Sequence, residues 1–179
     1  MAEILLTSES FVKSVTNVSD NLAGKYILPS IREAQEQGLK GILGDCLLTS
    51  VKERVKDNSI DNPENIMYKA LVEHCQYYLA YLAIVEVTNK VSYKIGNFGV
   101  TKSTDENLQV ATYDEIVKMQ YYYQSKVDAY CIDLQTWILD NKDAFPELTP
   151  CQCHKISSNL HSAASCGIFL GGARGKKRR

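Results

Sequence analysis

Two stretches of this chain keep a helical apolar interval for longer than any others, and together they restrict the fold most. In the second, Ile116, Met119, Tyr123, Val127, Tyr130, Leu134, Trp137 and Ile138 recur at the spacing of one helix face. Thr112 with Glu115 forms a capping box at its start, which predicts a helix running to about Asn141. In the first, Asn62 offers a cap and Pro63 the first helical position, the residue best able to do without a backbone N–H. A core face of Ile66, Ala70, Cys75, Tyr78, Leu82 and Val85 then predicts a helix to about Lys90, roughly 40 Å long at 1.5 Å per residue. Helices in water owe most of their stability to burying such a face. The expected fold class is therefore mainly α: a small antiparallel helical bundle with two long helices.

Shorter helices are predicted ahead of them. Ser8 or Ser10 caps a short helix carrying Phe11 and Val15, and Asp20 or Asn21 caps the next, whose inner side holds Leu22, Tyr26, Ile27 and Ile31. Pro29 starts the main segment of that helix or kinks it. Gly38 is expected to end it in the left-handed conformation. A further helix from about Leu39 to Val55 presents Ile42, Leu43, Cys46, Leu47, Val51 and Val55 inward, with Gly44 inside it under a closely crossing neighbour. The polar residues Arg32, Glu33, Gln35, Glu36 and Asp45 flank the expected break; the Arg, Glu and Gln before Gly38 read as the wet side of a helix hairpin.

Between the long helices, VSYKIGNFGVTKSTDENLQVA alternates apolar and polar residues around Gly-Asn-Phe-Gly, which predicts a projecting loop or β-hairpin. Past Pro150 the helical period is lost. Residues 1–150 are expected to form the helical domain and residues 151–179 an extended basic C-terminal arm. The formal net charge of -1 conceals this division. The first 150 residues hold 14 of the 20 Lys and Arg and all 21 acids, a balance of -7, whereas the last 29 carry +6. A basic arm on an acidic body is suited to an anionic surface, either nucleic acid or a neighbouring subunit. The opening MAEILLTSESF has neither a basic leader nor a long apolar run, so no secretory signal is expected, and the six cysteines are expected to be reduced thiols. No segment is apolar over a length that would span a bilayer.

Residues with reactive side chains do not form an enzyme signature. Cys151, Cys153, His154, His161 and Cys166 are of the types zinc prefers, but a C-x-C-H cluster followed by single residues lacks the paired spacing of structural zinc sites. Free thiols and surface histidines are the preferred reading, and no metal or other cofactor is expected. GGARGKK departs from a phosphate-binding loop: position 170 is Leu rather than Gly, and Lys177 follows the lysine where Ser or Thr is needed. Arg174, Lys176, Lys177, Arg178 and Arg179 are expected to contact phosphates or a partner subunit, and Phe98 at the loop tip is a second contact candidate. The acid pairs Glu33/Glu36, Asp105/Glu106 and Asp114/Glu115 fall on outer faces, a loop or a cap, so no shared apolar pocket raises a carboxyl pKa. His74 lies in the first long helix as a core or interface residue. Tyr121, Tyr122 and Tyr123 suit a helix wet on one side and packed on the other.

LPSIREAQEQGLKGILGDCLL resembles the N-terminal signature of helical head-tail connector (head completion) proteins of phages with Bacteroidetes hosts, including crAss-like phages. That signature is an Ile-x-x-Ala-Gln-x-x-x-Leu run and a Leu-Gly turn, here Ile31, Ala34, Gln35, Leu39, Leu43 and Gly44. ALVEHCQYYLAYLAIVEV, NFGVTKSTDEN, YYYQSKVDAYCIDLQTWILDN, FPE and CGIFLGG also resemble the family's later segments. The resemblance implies a non-enzymatic virion protein at the head-tail junction, made in the host cytoplasm. It would form a homo-oligomeric ring, usually of twelve copies, beneath the portal protein. The ring would contact further ring or tail proteins and extend the channel through which genomic DNA is ejected. The alternative function is a small nucleic-acid-binding factor with a zinc-stabilised basic C-terminus; an assembly chaperone absent from the mature particle is a third.

Overall fold

The computed structural model describes residues 4–96, 99–102 and 112–148. Helix α1 (Glu9–Val15) begins at Ser8, whose hydroxyl accepts the Phe11 N–H. Helix α2 (Gly24–Glu33) passes without interruption into a π-helical segment, Ala34–Leu39, and then into α3 (Lys40–Lys56). A 3-10 turn, Pro63–Asn65, leads into α4 (Ile66–Ser92). Strand β1 (Tyr93–Gly96) then pairs antiparallel with β2 (Gly99–Lys102), Tyr93 opposite Lys102 and Gly96 opposite Gly99. Helix α5 (Tyr113–Asp140) starts at Thr112 with the predicted capping box complete. Two 3-10 turns, Lys142–Ala144 and Pro146–Leu148, follow it.

Helix α4 is the central post. It packs against α5, α2, the π segment and α1. Aromatic pairs show the antiparallel sense of α4 and α5: Tyr68 meets Phe145, His74 meets Trp137, and Tyr77 and Tyr81 meet Tyr130. Because it has neighbours on several sides, α4 buries Tyr68, Leu71, Cys75, Leu79, Ala83 and Ile84, which cover more than one face. Ile66, expected in its core, is 65% exposed at the helix's first residue. Burial pushes the Cys75 thiol well above its ordinary pKa and raises the Tyr78 phenol to about 12. Helix α5 has its principal neighbour on one side only, so the predicted single stripe appears there: Tyr123, Val127, Leu134 and Ile138 are buried. Met119, at the edge of that stripe, is exposed.

Gly38 and Gly44 exchange the roles the sequence suggested. Gly38 does not end a helix, since the helical path runs through it. A Cβ there would lie 2.4 Å from Leu82 Cδ2 and 2.8 Å from Tyr78 Oη, so Gly38 is where α4 approaches closely. Gly44 has nothing within 4 Å of such a Cβ, but its φ of 75° and ψ of 165° break α3 in two. Only glycine occupies that region without strain. A glycine in an ordinary helix interior gains about 1 kcal/mol on change to alanine. Gly44→Ala is instead expected to destabilise the protein by about 1–3 kcal/mol. A denaturant titration checks the sign.

The cap of α2 also differs from expectation. Ala23 precedes the helix and makes no side-chain cap bond. Asp20 and Asn21 belong to the preceding turn, where Leu22 N–H bonds the Ser19 carbonyl and Lys13 Nζ donates to the Asp20 carbonyl at 2.7 Å. Pro29 lies inside α2 rather than at its start.

Candidate interaction surfaces

The polar residues around Gly38 hold the fold together. Gln35 is fully buried, not on a wet face: its Oε1 accepts the Leu6 N–H at 2.9 Å and its Nε2 donates to the Ile4 carbonyl at 3.0 Å. From α4, Gln76 Nε2 donates to the Leu6 carbonyl at 3.1 Å, so two glutamines pin the N-terminal segment as a neighbouring strand would. Glu33 pairs with Lys90, which also donates to Ser30 Oγ at 3.0 Å and ties the end of α4 to α2. Glu36 pairs with Lys52, whose hydrogen bond holds the carboxyl below its usual range, and Asp45 pairs with Lys40 at 2.8 Å.

A second polar cluster fastens the far end of the described chain. Phe145 is buried edge-on to the Tyr68 ring, with centroids 5.3 Å apart, and tilted against Trp137 at 5.9 Å. This seats Glu147, whose two carboxylate oxygens both lie 2.9 Å from Tyr68 Oη and which also accepts from the Ser50 hydroxyl. The Arg54 guanidinium lies 3.8 Å over the Tyr68 ring, donates to Asn65 Oδ1 and to the Ser50 carbonyl at 3.0 Å each, and pairs with Glu147 at 3.8 Å. A serine, a carboxylate, a tyrosine and an arginine thus meet, but each engages the others. The predicted helix ends at about Asn141, and nothing local assigns DAFPELTP beyond it a packing role. The signal for one is a Phe and a Glu on either side of Pro146, a compact plug rather than a trailing loop.

Burial by itself would raise the Glu147 carboxyl. The Ser50 hydroxyl, a backbone hydrogen bond, the Tyr68 hydroxyl and the Arg54 charge outweigh it and hold the group below the usual carboxylate range. A carboxyl with a depressed folded-state pKa stabilises the fold above its unfolded value, near ~4.3, and that contribution is lost as pH falls through the folded value. The parent is therefore expected to exceed Glu147→Gln in stability at about pH 6, with the gap closing below about pH 4. Urea midpoints of both proteins across that range check this. A gap independent of pH would contradict it.

The remaining described surface has two notable features. One is an open cleft of about 420 Å³ between the N-terminal segment, the loop after α3 and α4, with Leu5, Val55, Ile60 and Val72 in its lining. Thr7 lines it too, and among the described residues its hydroxyl is the buried side-chain polar atom without a partner. The other is the outer face of α5. Tyr121 is 73% exposed, Ile132 61%, Tyr122 55% and Leu139 43%, while Tyr123 between them is buried. The expectation of a helix packed on one side and wet on the other therefore fits these tyrosines. His74, itself exposed, lies tilted against the Trp137 ring at the edge of the α4–α5 contact, with centroids 4.8 Å apart.

The other sequence candidates lie outside the described residues: Phe98, the cysteines and histidines Cys151, Cys153, His154, His161 and Cys166, and the basic Arg174, Lys176, Lys177, Arg178 and Arg179. Asp105 and Glu106 lie outside them as well. Among the described residues no three His, Cys, Asp or Glu side chains gather where a metal would bind, and no helix is long and apolar enough to cross a membrane. Compared with known families, residues 39–158 match the model of one described as a family of unknown function, DUF6712. No curated protein and no solved structure matches the chain.

Proposed function

This chain belongs to the DUF6712 family, and we propose that it is a non-catalytic virion protein of a phage, a connector subunit that forms a ring below the portal and joins head to tail. The observation that carries the proposal is how its side chains are used. The conspicuous polar groups bind the molecule to itself, whereas α5 turns tyrosines and aliphatic side chains outward. Tyrosine suits surfaces that other proteins cover. The segment on which the connector resemblance rests is also the structural centre of the N-terminal half. Ile31, Ala34, Gln35, Leu39 and Leu43 are buried, and Gly44 makes the turn. In this reading the basic end, Arg174 to Arg179, reaches the portal or an adjacent copy, and genomic DNA passes through the ring during ejection.

Quantitative mass spectrometry of purified virions tests the assignment. The protein is expected in the mature particle at a fixed ratio to the portal protein, near twelve copies if the ring follows the usual count. Presence only in immature particles would make it an assembly chaperone. Absence from both, with salt-sensitive binding to DNA and one zinc per chain, would make it the nucleic-acid factor.

A further inference from the structure

The last described turn of the chain lies next to the open cleft. Glu147 is bound by Tyr68 and Ser50 and pairs with Arg54. On α4, Val72 of the cleft lining is one turn beyond Tyr68, about 6 Å along the axis. On the other wall, the Arg54 carbonyl accepts the Ile60 N–H at 3.2 Å, and both Val55 and Ile60 line the cleft. Arg54 thus meets the end of the described chain with its guanidinium and the cleft wall with its carbonyl. Residues 149–179 continue from this point.

The chemistry of the cleft suits a peptide. Leu5, Val55, Ile60 and Val72 give it an apolar lining. Its charged lining is Asp61, Lys69 and Glu73, two acids and one base, and all three are exposed. Lys69 is already paired with Asp61 at 2.7 Å, whereas Glu73 forms no ion pair among the described residues. The Thr7 hydroxyl in the lining has no partner among the described residues, and a main chain brings the N–H and C=O groups that a hydrocarbon ligand lacks. The matching occupant has large apolar side chains, a peptide backbone and positive charge close behind them.

Residues 149–179 hold one run of three large apolar residues, Ile168, Phe169 and Leu170, and the next charged residue after it is Arg174. We infer that this run occupies the cleft of its own chain, which brings Arg174 within reach of Glu73. Residues 149–167 connect the run to Leu148. A chain of that length has a root-mean-square span of about 24 Å and an extended limit of about 60 Å, so the cleft is within reach. Tethering at such a span holds the run at an effective concentration on the order of 1 mM at its own cleft. A contact too weak to retain a free peptide is then occupied most of the time. A second copy at micromolar concentration competes at a disadvantage of about a hundredfold or more, which selects the same chain as donor. The balance of -7 on residues 1–150 against +6 on residues 151–179 acts in the same direction. The basic residues from Lys176 onward then leave from the rim of the cleft. This inference stands whether or not the connector reading does.

Photo-crosslinking of the full chain tests the assignment. A p-benzoylphenylalanine placed at position 169 keeps an aromatic ring there and, on irradiation, couples to C–H groups close to it. At about 1 µM protein, far below the effective concentration, the adduct is expected within a single chain. Peptide mass spectrometry is expected to map it to Leu5, Val55, Ile60 or Val72. Val72→Glu carries a charge into the apolar lining and is expected to lower the yield of that adduct about fivefold. Leu170→Asp, which alters the run rather than the cleft, is expected to do the same. Circular dichroism confirms that the variants are folded. An adduct elsewhere on the helical domain, an adduct formed only between chains, or none at all overturns the inference. A yield that ignores both Val72→Glu and Leu170→Asp overturns it as well.

Discussion

Replacing Phe145 by alanine is expected to lower the unfolding free energy by about 3–5 kcal/mol, the usual cost of emptying a buried aromatic site. Phe145 is 1% exposed and is held between the rings of Tyr68 and Trp137. The loss should also reach the polar cluster next to it. Glu147 is positioned for Tyr68 and Ser50 only while Phe145 is seated, so Phe145→Ala and Glu147→Gln should be non-additive. Chemical denaturation measures both effects. A cost below about 1 kcal/mol would mean that the segment after α5 rests on the bundle without fastening it.

The second large effect is expected at Gln35. Gln35→Ala removes the acceptor of the buried Leu6 N–H and the donor to the Ile4 carbonyl, and it leaves a cavity. These losses together amount to about 2–4 kcal/mol. Gln35→Leu refills most of the space but restores neither bond, so its difference from Gln35→Ala separates packing from hydrogen bonding. The same change should free the N-terminal segment locally: amide exchange at Leu6 should accelerate far more than exchange in α4. Equal protection of Leu6 in parent and variant would show that Gln76 holds the segment without help.

These two sites show what the sequence could and could not convey. The long helices were legible because their signals are local. A capping box at Thr112, an Asn-Pro start at residue 62 and a single apolar stripe on α5 each depend on residues within a few turns. Helix α4 was legible as a helix but not in its buried set, because a post with neighbours on several sides has no one stripe to read. Gln35 was assigned to water since glutamine usually is exposed; its partners are Leu6 and Ile4, about thirty positions away, and no local pattern announces them. Gly38 and Gly44 were interchanged for the same reason. Whether a glycine serves a turn or a close approach depends on what crosses it, and Leu82 and Tyr78 of α4 are far along the chain. The Ser50–Tyr68–Glu147 cluster likewise joins three elements that sequence order keeps apart.

The candidate surface was partly legible. The tyrosines at 121 to 123 already indicated a helix with two different sides, and the structure assigns Tyr123 to the core and its two neighbours to the outside. The outer face of α5 became definable only once its inner face was known, because it is what the core leaves over.

The central claim is that this protein is a ring-forming subunit of a portal assembly. A native mass spectrum of the full chain co-expressed with the portal protein of the same genome tests it most directly. A portal-bound set of about a dozen copies is expected, by the usual count for such rings. A chain that remains separate from the portal, at any ratio of the two, would contradict it.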